Sequence, residues 1–286
     1  MDEVVKGRNE LERSLAGGAD ADRRSLGLHG EDERRPLPLT GRRGFAVWDS
    51  SSSDLVNWTE PVRWTERGTT GYFQEARNGD YWLVTIAGRS GNHDLYIQRS
   101  GDKGKTWTDP AAITSDPLED YLFSFRIASD GTFILLWERH DASVSGGPLG
   151  RSTDIYLSTS ADGIDWTAPE LLTPETGEPK NVDTIPSLLE GPDSQIYAVW
   201  LTSRVRLTKP TVVGVPVWPH RDLSDVRRIP AEGYAVCGQT LSDGRYMLAW
   251  VAKVSGSKGG HDNFYRILAD FNFEGFDPVS HPAAAP

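Results

Sequence analysis

The chain has 286 residues, with 30 Lys and Arg against 41 Asp and Glu, a net charge of −11, 29 Gly, 18 Pro, ten Trp and two Met. This mix excludes a helix bundle, a coiled coil and a disordered chain, and its uniform acidity makes it a poor partner for nucleic acid phosphates. No run of 18 apolar residues is present to span a membrane, and the single Cys237 excludes an intrachain disulfide and a Cys-based zinc cluster.

Residues 1–42 carry nine acidic and eight basic side chains and few large apolar ones. They read as a poorly structured, mobile N-terminal arm. Asn9 to Ala16 suit two helical turns, and the rival reading is a segment that packs on the domain and closes it. A secretory signal needs a basic start and an apolar core, and neither is visible. The sequence as written therefore reads as cytoplasmic, or as secreted if it starts part-way through a longer precursor. Residues 43–280 read as one domain, and 281–286 as a tail.

From Gly44 onward, short alternating apolar runs are separated by Gly, Asp, Ser and Pro, the pattern of strands joined by tight turns. One unit recurs as a turn followed by a strand: Asn78 to Val84, Asp130 to Trp137, Asp193 to Trp200 and Asp243 to Trp250. Trp137, Trp200 and Trp250 share one column, with Thr85 in the same place. A second unit is Ser100-Gly101-Asp102-Lys103-Gly104-Lys105-Thr106-Trp107, repeated at Ser160 to Trp166 and, without its Gly, at Ser52 to Trp58. Weaker copies lie at Asp222 to Val226 and near Asn272 to Asp277. The Trp residues of this unit are 49 and 59 residues apart, enough chain for four short strands. Four-stranded units repeated around an axis make an all-β propeller. Four repeats fall at about 69–112, 120–172, 182–230 and 232–278, and residues 44–65 supply only an outer hairpin. Five blades are favoured and six are the alternative. The missing inner strands come from residues 1–42 or from elsewhere in the chain.

The Ser-x-Asp units resemble the Asp-box (BNR) repeats of the sialidase/neuraminidase superfamily and related propellers. The Ser52 to Trp58 form also resembles a segment of five-bladed glycosidases of the arabinanase and invertase type. Asp boxes sit in turns between outer strands, so Asp54, Asp102 and Asp162 read as architectural. Phe125-Arg126-Ile127 resembles the Phe/Tyr-Arg-Ile-Pro segment of sialidases. The resemblance implies that Arg126 binds a substrate carboxylate, that Arg139 or Arg204 completes an Arg cluster, and that Asp141 is the loop acid/base. It also implies a Tyr nucleophile, for which Tyr234 and Tyr265 are the candidates. Gln74, Arg126 and Gln239 each precede a turn by the same spacing and are expected to face the central channel.

Four His lie next to or two residues before an Asp in the expected loops between second and third strands: His93, His140, His220 and His261. Such a ring suits a divalent metal or an acid/base pair such as His140 with Asp141. The architectural reading makes the Asp residues turn formers. The function implied is a sialidase-like exo-glycosidase acting on a carbohydrate, acidic sugars included, with no cofactor. The rivals are a non-catalytic carbohydrate- or protein-binding propeller and a metal-dependent lyase or oxygenase using the His ring.

Overall fold

Four hairpin turns set the geometry, and they are built alike. In each, the amide before the turn donates to the carbonyl four residues on: Ala76 to Asp80, Ala128 to Thr132, Gly191 to Gln195 and Leu241 to Arg245. An Asn or Asp side chain caps the turn by accepting from the amide two residues later, as Asp130 does from Thr132 at 2.9 Å and Asp193 from Gln195 at 3.1 Å. The third turn position has positive φ at Gly79, Gly131, Ser194 and Gly244. The recurring turn-and-strand unit of the sequence is thus a recurring hydrogen-bonded object.

The computed structural model describes residues 4–6, 48–49, 57, 59–60 and 62–63. It also describes 71–268, except 90–91, 142–151, 174–181, 192, 203–210, 230–232, 242 and 254–260. The described strands form four four-stranded antiparallel sheets and one two-stranded sheet. The first is β4 (Gly71–Glu75), β5 (Tyr81–Arg89), β6 (Asn92–Ser100) and β7 (Ala111–Ala112). The second is β8 (Glu119–Ile127), β9 (Phe133–Asp141), β10 (Ser152–Ser160) and β11 (Glu170–Leu171). The third is β12 (Asp183–Glu190), β13 (Ile196–Thr202), β14 (Thr211–Trp218) and β15 (Arg227–Arg228). The fourth is β16 (Tyr234–Thr240), β17 (Tyr246–Lys253) and β18 (His261–Leu268), completed by β1 (Val4–Lys6). The two-stranded sheet pairs β2 (Trp48–Asp49) with β3 (Val62–Arg63), the expected outer hairpin. This is a β-propeller of four-stranded blades. The leading strands β4, β8, β12 and β16 adjoin in turn and surround the axis.

Of residues 1–42, the structure describes residues 4–6. Residues 4–6 do not supply an inner strand of the incomplete blade. They pair antiparallel with β18 at the outer edge of the fourth sheet, Val5 opposite Tyr265. An edge strand presents unpaired amides and carbonyls, and β1 covers part of that edge. Residues 7–42, 281–286, Arg204 and the Ser52 to Asp54 segment lie outside the described residues, as does the weak copy near Asn272.

Each hydrophobic core is a layer between consecutive sheets. Trp82, Val84 and Leu95 of the first sheet meet Phe123, Leu135 and Trp137 of the second. Leu136, Ile155 and Leu157 meet Ala198, Trp200 and Val213. Val199, Val212 and Leu189 meet Tyr246, Leu248 and Trp250. Strand alternation sends Trp137 to one neighbour and Leu136 to the other. The buried indoles are anchored: Trp137 donates to Asp120 at 2.8 Å and Trp200 to Asp183 at 3.0 Å. Both carboxylates lie 17 residues upstream, on the leading strand of the same blade.

The outer turns are held by Ser and Asp, not by ligand chemistry. Ser100 Oγ accepts from the Gly104 amide at 2.8 Å, and Asp102 accepts from the Thr106 amide at 2.8 Å and its hydroxyl at 2.6 Å. Ser160 and Asp162 repeat the device with Gly163 and Asp165. Gly163 is required twice over. Its φ is +75°, and a Cβ would stand 2.8 Å from Trp82 of the preceding blade.

Two predictions follow from this framework. Asp120→Ala removes the main partner of the buried Arg139, leaving only Asp116, and orphans the Trp137 indole. It should cost about 3 kcal/mol, lowering Tm by roughly 5–10 °C in a calorimetric melt. Asp120→Asn keeps an acceptor for Trp137 and should lose less; equal losses would remove the indole bond from the account. Second, Thr106 and Ser100 hold the Asp102 carboxyl down to about 2. A carboxyl held lower in the folded chain stabilises it above the ordinary carboxylate range and loses that contribution as pH falls. Asp102→Asn should therefore flatten the fall of Tm between about pH 4 and about pH 2; a parental slope would refute the assignment.

Candidate functional site

Three leading strands carry a bulge at the same height. In β8 the pairing with β9 shifts between Tyr121 and Phe123, leaving Leu122 as the extra residue. In β12 it shifts between Thr184 and Ser187, and in β16 between Tyr234 and Cys237. Each shift falls beside the buried Trp of the second strand: Trp137, Trp200 and Trp250. A bulge re-aims side chains and bends the strand. Here the bulged residues Leu122, Ile185, Pro186 and Val236 line an axial cavity of about 330 Å³. Ile185 takes φ +55°, left-handed backbone that a β-branched residue adopts at a cost of about 1–3 kcal/mol.

The cavity wall is mixed. Tyr72, Tyr121 and Leu122 are exposed on it, and Tyr72 meets Phe123 edge-on with centroids 5.1 Å apart. Among the described residues the exposed large apolar side chains are Tyr72, Tyr121, Leu122 and Ile164, so three of the four gather here. Cys237 opens onto the cavity but is ringed by protein, and that burial pushes its thiol up. Burial and then the nearby thiol push the Tyr72 phenol up as well. Behind Gly238 stands Tyr246, whose hydroxyl would lie 2.4 Å from a Cβ at that glycine. Its phenol is raised by burial against the opposing Arg126 charge.

Arg126 and Gln74 line the cavity, as the spacing predicts. The side chain of Gln239 lies outside the described residues. Arg126 is ion-paired to Glu190 of the next blade, and Gln74 accepts from the Ile127 amide. Arg139 is elsewhere. It donates two bonds to Asp120, at 2.6 and 2.9 Å, contacts Asp116 at 2.6 Å, and lies 4.8 Å over the Tyr156 ring. Burial opposes its charge, but the bond and charge of Asp120 outweigh it and raise the guanidinium's pKa. Arg126 and Arg139 therefore do not converge, since only Arg126 lines the cavity. Asp141 closes β9, with its side chain outside the described residues, as are the side chains of Arg89 and Tyr234. Tyr265 is buried in β18.

Two His–carboxylate pairs flank Tyr121 of the cavity wall. His93 Nδ1 lies 3.0 Å from Glu119, and His140 Nε2 contacts Glu138. Glu119 and Glu138 are buried. The Tyr121 ring lies between the imidazoles, with centroids 5.8 Å from His93 and 6.1 Å from His140. Register puts Glu119 opposite His140, and Tyr121 opposite Glu138. Glu138 also accepts from the Thr184 hydroxyl and from the Ile185 amide at 3.2 Å.

The His ring is corrected in part. His220 follows β14, so it sits between third and fourth strands and is exposed, apart from His93 and His140. The side chain of His261 lies outside the described residues, and among those described no group of three His, Cys, Asp or Glu is placed to hold a metal. At the third-strand starts, Asp154 accepts from Thr173 at 2.9 Å. Asp94 bonds Thr114 in the same way, while burial and then Asp120 and Asp116 push its carboxyl up.

Sequence reading missed Glu119, Glu138, Glu190, Tyr72 and Tyr121. Period-two alternation in Trp137-Glu138-Arg139-His140 carried a usable signal. It sets Glu138 and His140 on the face away from Trp137, in a strand apolar enough to be buried.

No family model matches the chain, and no curated protein matches it. Solved structures do. A protein of unknown function from Dyadobacter fermentans DSM 18053 is 16% identical over 86% of this chain and 71% of that one, with a TM-score of 0.60. The endo-arabinase from Bacteroides thetaiotaomicron VPI-5482 is 17% identical over 95% of this chain and 98% of that one, with a TM-score of 0.55. The K499G mutant of NanB sialidase from Streptococcus pneumoniae is 14% identical over 79% of this chain but 36% of that one, with a TM-score of 0.52. These likenesses are of fold.

Because burial raises the Cys237 thiol, it should react with a disulfide reagent more slowly than a free thiol at neutral pH. Its rate should rise with a midpoint above that of a free cysteine. A free-thiol rate profile would place Cys237 outside the cavity.

Proposed function

We propose that the protein is a glycoside hydrolase that takes its glycan over the mouth of the axial cavity. The observation that carries this reading is the gathering of Tyr72, Tyr121 and Leu122 at a concave site beside two His–carboxylate pairs. A sugar ring offers an apolar C–H face and a polar rim. Exposed tyrosines suit the first, and His and Ser side chains suit the second. The fold shared with an endo-arabinase supports the same class of ligand.

The ligand is a neutral glycan in this reading. The charge of Arg126 is met by Glu190 and that of Arg139 by Asp120 and Asp116, so neither supplies an uncompensated cation for a carboxylate. His140 and His93 are the proton-transfer groups, and Tyr121 is the platform between them. Asp141 follows His140 directly and is the candidate loop acid.

The test is release of reducing ends from debranched arabinan, arabino-oligosaccharides, xylan and sialyllactose. Hydrolysis of a neutral substrate is expected. Tyr121→Ala should raise KM about tenfold with an unchanged melt. Cleavage confined to sialyllactose, and lost in Arg126→Ala without unfolding, would favour the acidic-sugar reading. Binding without turnover across the panel would favour a carbohydrate-binding propeller.

A further inference from the structure

Glu138 has more to do than face one histidine. Its side chain is buried beside the cavity-lining Ile185, and both its oxygens are engaged. One faces His140 Nε2. The other accepts from the Thr184 hydroxyl and the Ile185 amide. Thr184 and Ile185 belong to the next blade and open the bulge of β12. Ile185 lines the cavity in left-handed backbone. A β-branched residue holds such a conformation only where its surroundings over-determine it, and Glu138 supplies two of the bonds that do so.

The same carboxylate fixes the imidazole. A carboxylate oxygen only accepts, so Nε2 must donate to it. The neutral ring then carries its lone pair on Nδ1, and Nδ1 of His140 is buried with no hydrogen-bond partner. An unpartnered acceptor in a buried ring is costly to keep.

We propose that Glu138 is a positioning residue that couples two parts of the site. It sets the His140 tautomer, leaving Nδ1 as the acceptor, and it holds the Ile185 turn that shapes the cavity wall. The glycan enters this proposal only as the ligand of the preceding section, and the coupling itself is testable without one.

Glu138→Gln separates the two tasks. Its amide oxygen can still accept from Thr184 and Ile185, while its NH₂ meets His140. Nε2 then becomes the acceptor and the ring proton moves to Nδ1. The first readout is the ring ¹⁵N chemical shifts of His140 in the ligand-free protein. They should exchange the Nε2–H pattern of the parent for Nδ1–H in Glu138→Gln. The second is Cys237 alkylation by iodoacetamide, which reads the cavity mouth. It should stay within twofold of the parent in Glu138→Gln and rise at least fivefold in Glu138→Ala, where the Ile185 turn is released. Ile185→Gly, which tolerates the turn conformation without support, should keep the parental tautomer.

On any glycan that the parent hydrolyses, Glu138→Gln should lose at least 100-fold in kcat with KM within threefold. An unchanged His140 tautomer in Glu138→Gln overturns the proposal. So does parental alkylation in a folded Glu138→Ala. If Glu138→Ala does not fold, the tautomer and kcat of Glu138→Gln decide. If no glycan is hydrolysed, the hydrolase reading fails, while the ¹⁵N shifts and alkylation rates still decide the coupling.

Discussion

The constraint on which the molecule depends is the need to satisfy an indole N–H inside a buried layer between blades. Trp137 and Trp200 fill the space between consecutive sheets, and each donates to a buried Asp on the leading strand of its own sheet. A buried donor without a partner costs more than the bond contributes, so strand and indole must meet. At that height the leading strands β8 and β12 each carry one residue more than their partners. In both blades this break falls at the Trp. The residues displaced by the break, Leu122, Ile185 and Pro186, turn to the axis. The packing solution of the blade interior and the collar of the cavity are two sides of one bulge.

The acidity of the chain takes a different form inside. Among the described residues the buried or half-buried carboxylates near the axis have named partners: Asp120 with Arg139, Glu190 with Arg126, Glu119 with His93 and Glu138 with His140. A buried charge is tolerable when paired and hydrogen-bonded. The net charge of −11 is therefore not the potential a ligand meets in the cavity. What it meets is an aromatic and aliphatic wall in which the Arg126 charge is met by Glu190. That distinguishes this cavity from a site built around an unpaired guanidinium.

Local chemistry was legible in the sequence. The Asp-Gly turns, the Trp column and the Ser-x-Asp turns all involve residues within a few positions of each other, so spacing reveals them. Pairings across blades were not. Arg126 finds Glu190 and Glu138 finds Thr184 at separations of 64 and 46 residues, set by how sheets stack. Register shifts are equally silent, because Leu122 and Ile185 look like ordinary apolar residues in a strand. The expectation for His220 failed for this reason: without the register of β14, a residue after the third strand is easily placed before it. Residues 4–6 are too short a run to carry a strand signal, and their pairing with β18 is visible only in three dimensions.

Of the three described non-glycine residues in left-handed backbone, only Ile185 is β-branched, and it lies on the cavity wall. At the outer turns positive φ falls on Gly104 and Gly163, with Lys103 the one non-glycine beside them, and Asp102 and Asp162 bond the turn amides. At the mouth of the axis the choices conflict. Ile185 sits where glycine belongs, three ladders slip, and His140 keeps a buried nitrogen without a partner. Sequences that are otherwise locally consistent concentrate such conflicts where function requires them. The conflicts at β9 and β12 are joined through one carboxylate, Glu138. This joint, more than the cavity itself, is the ground on which the proposed site stands. A cavity at a propeller axis follows from the fold alone, whereas a buried carboxylate holding a left-handed isoleucine and an under-bonded imidazole does not.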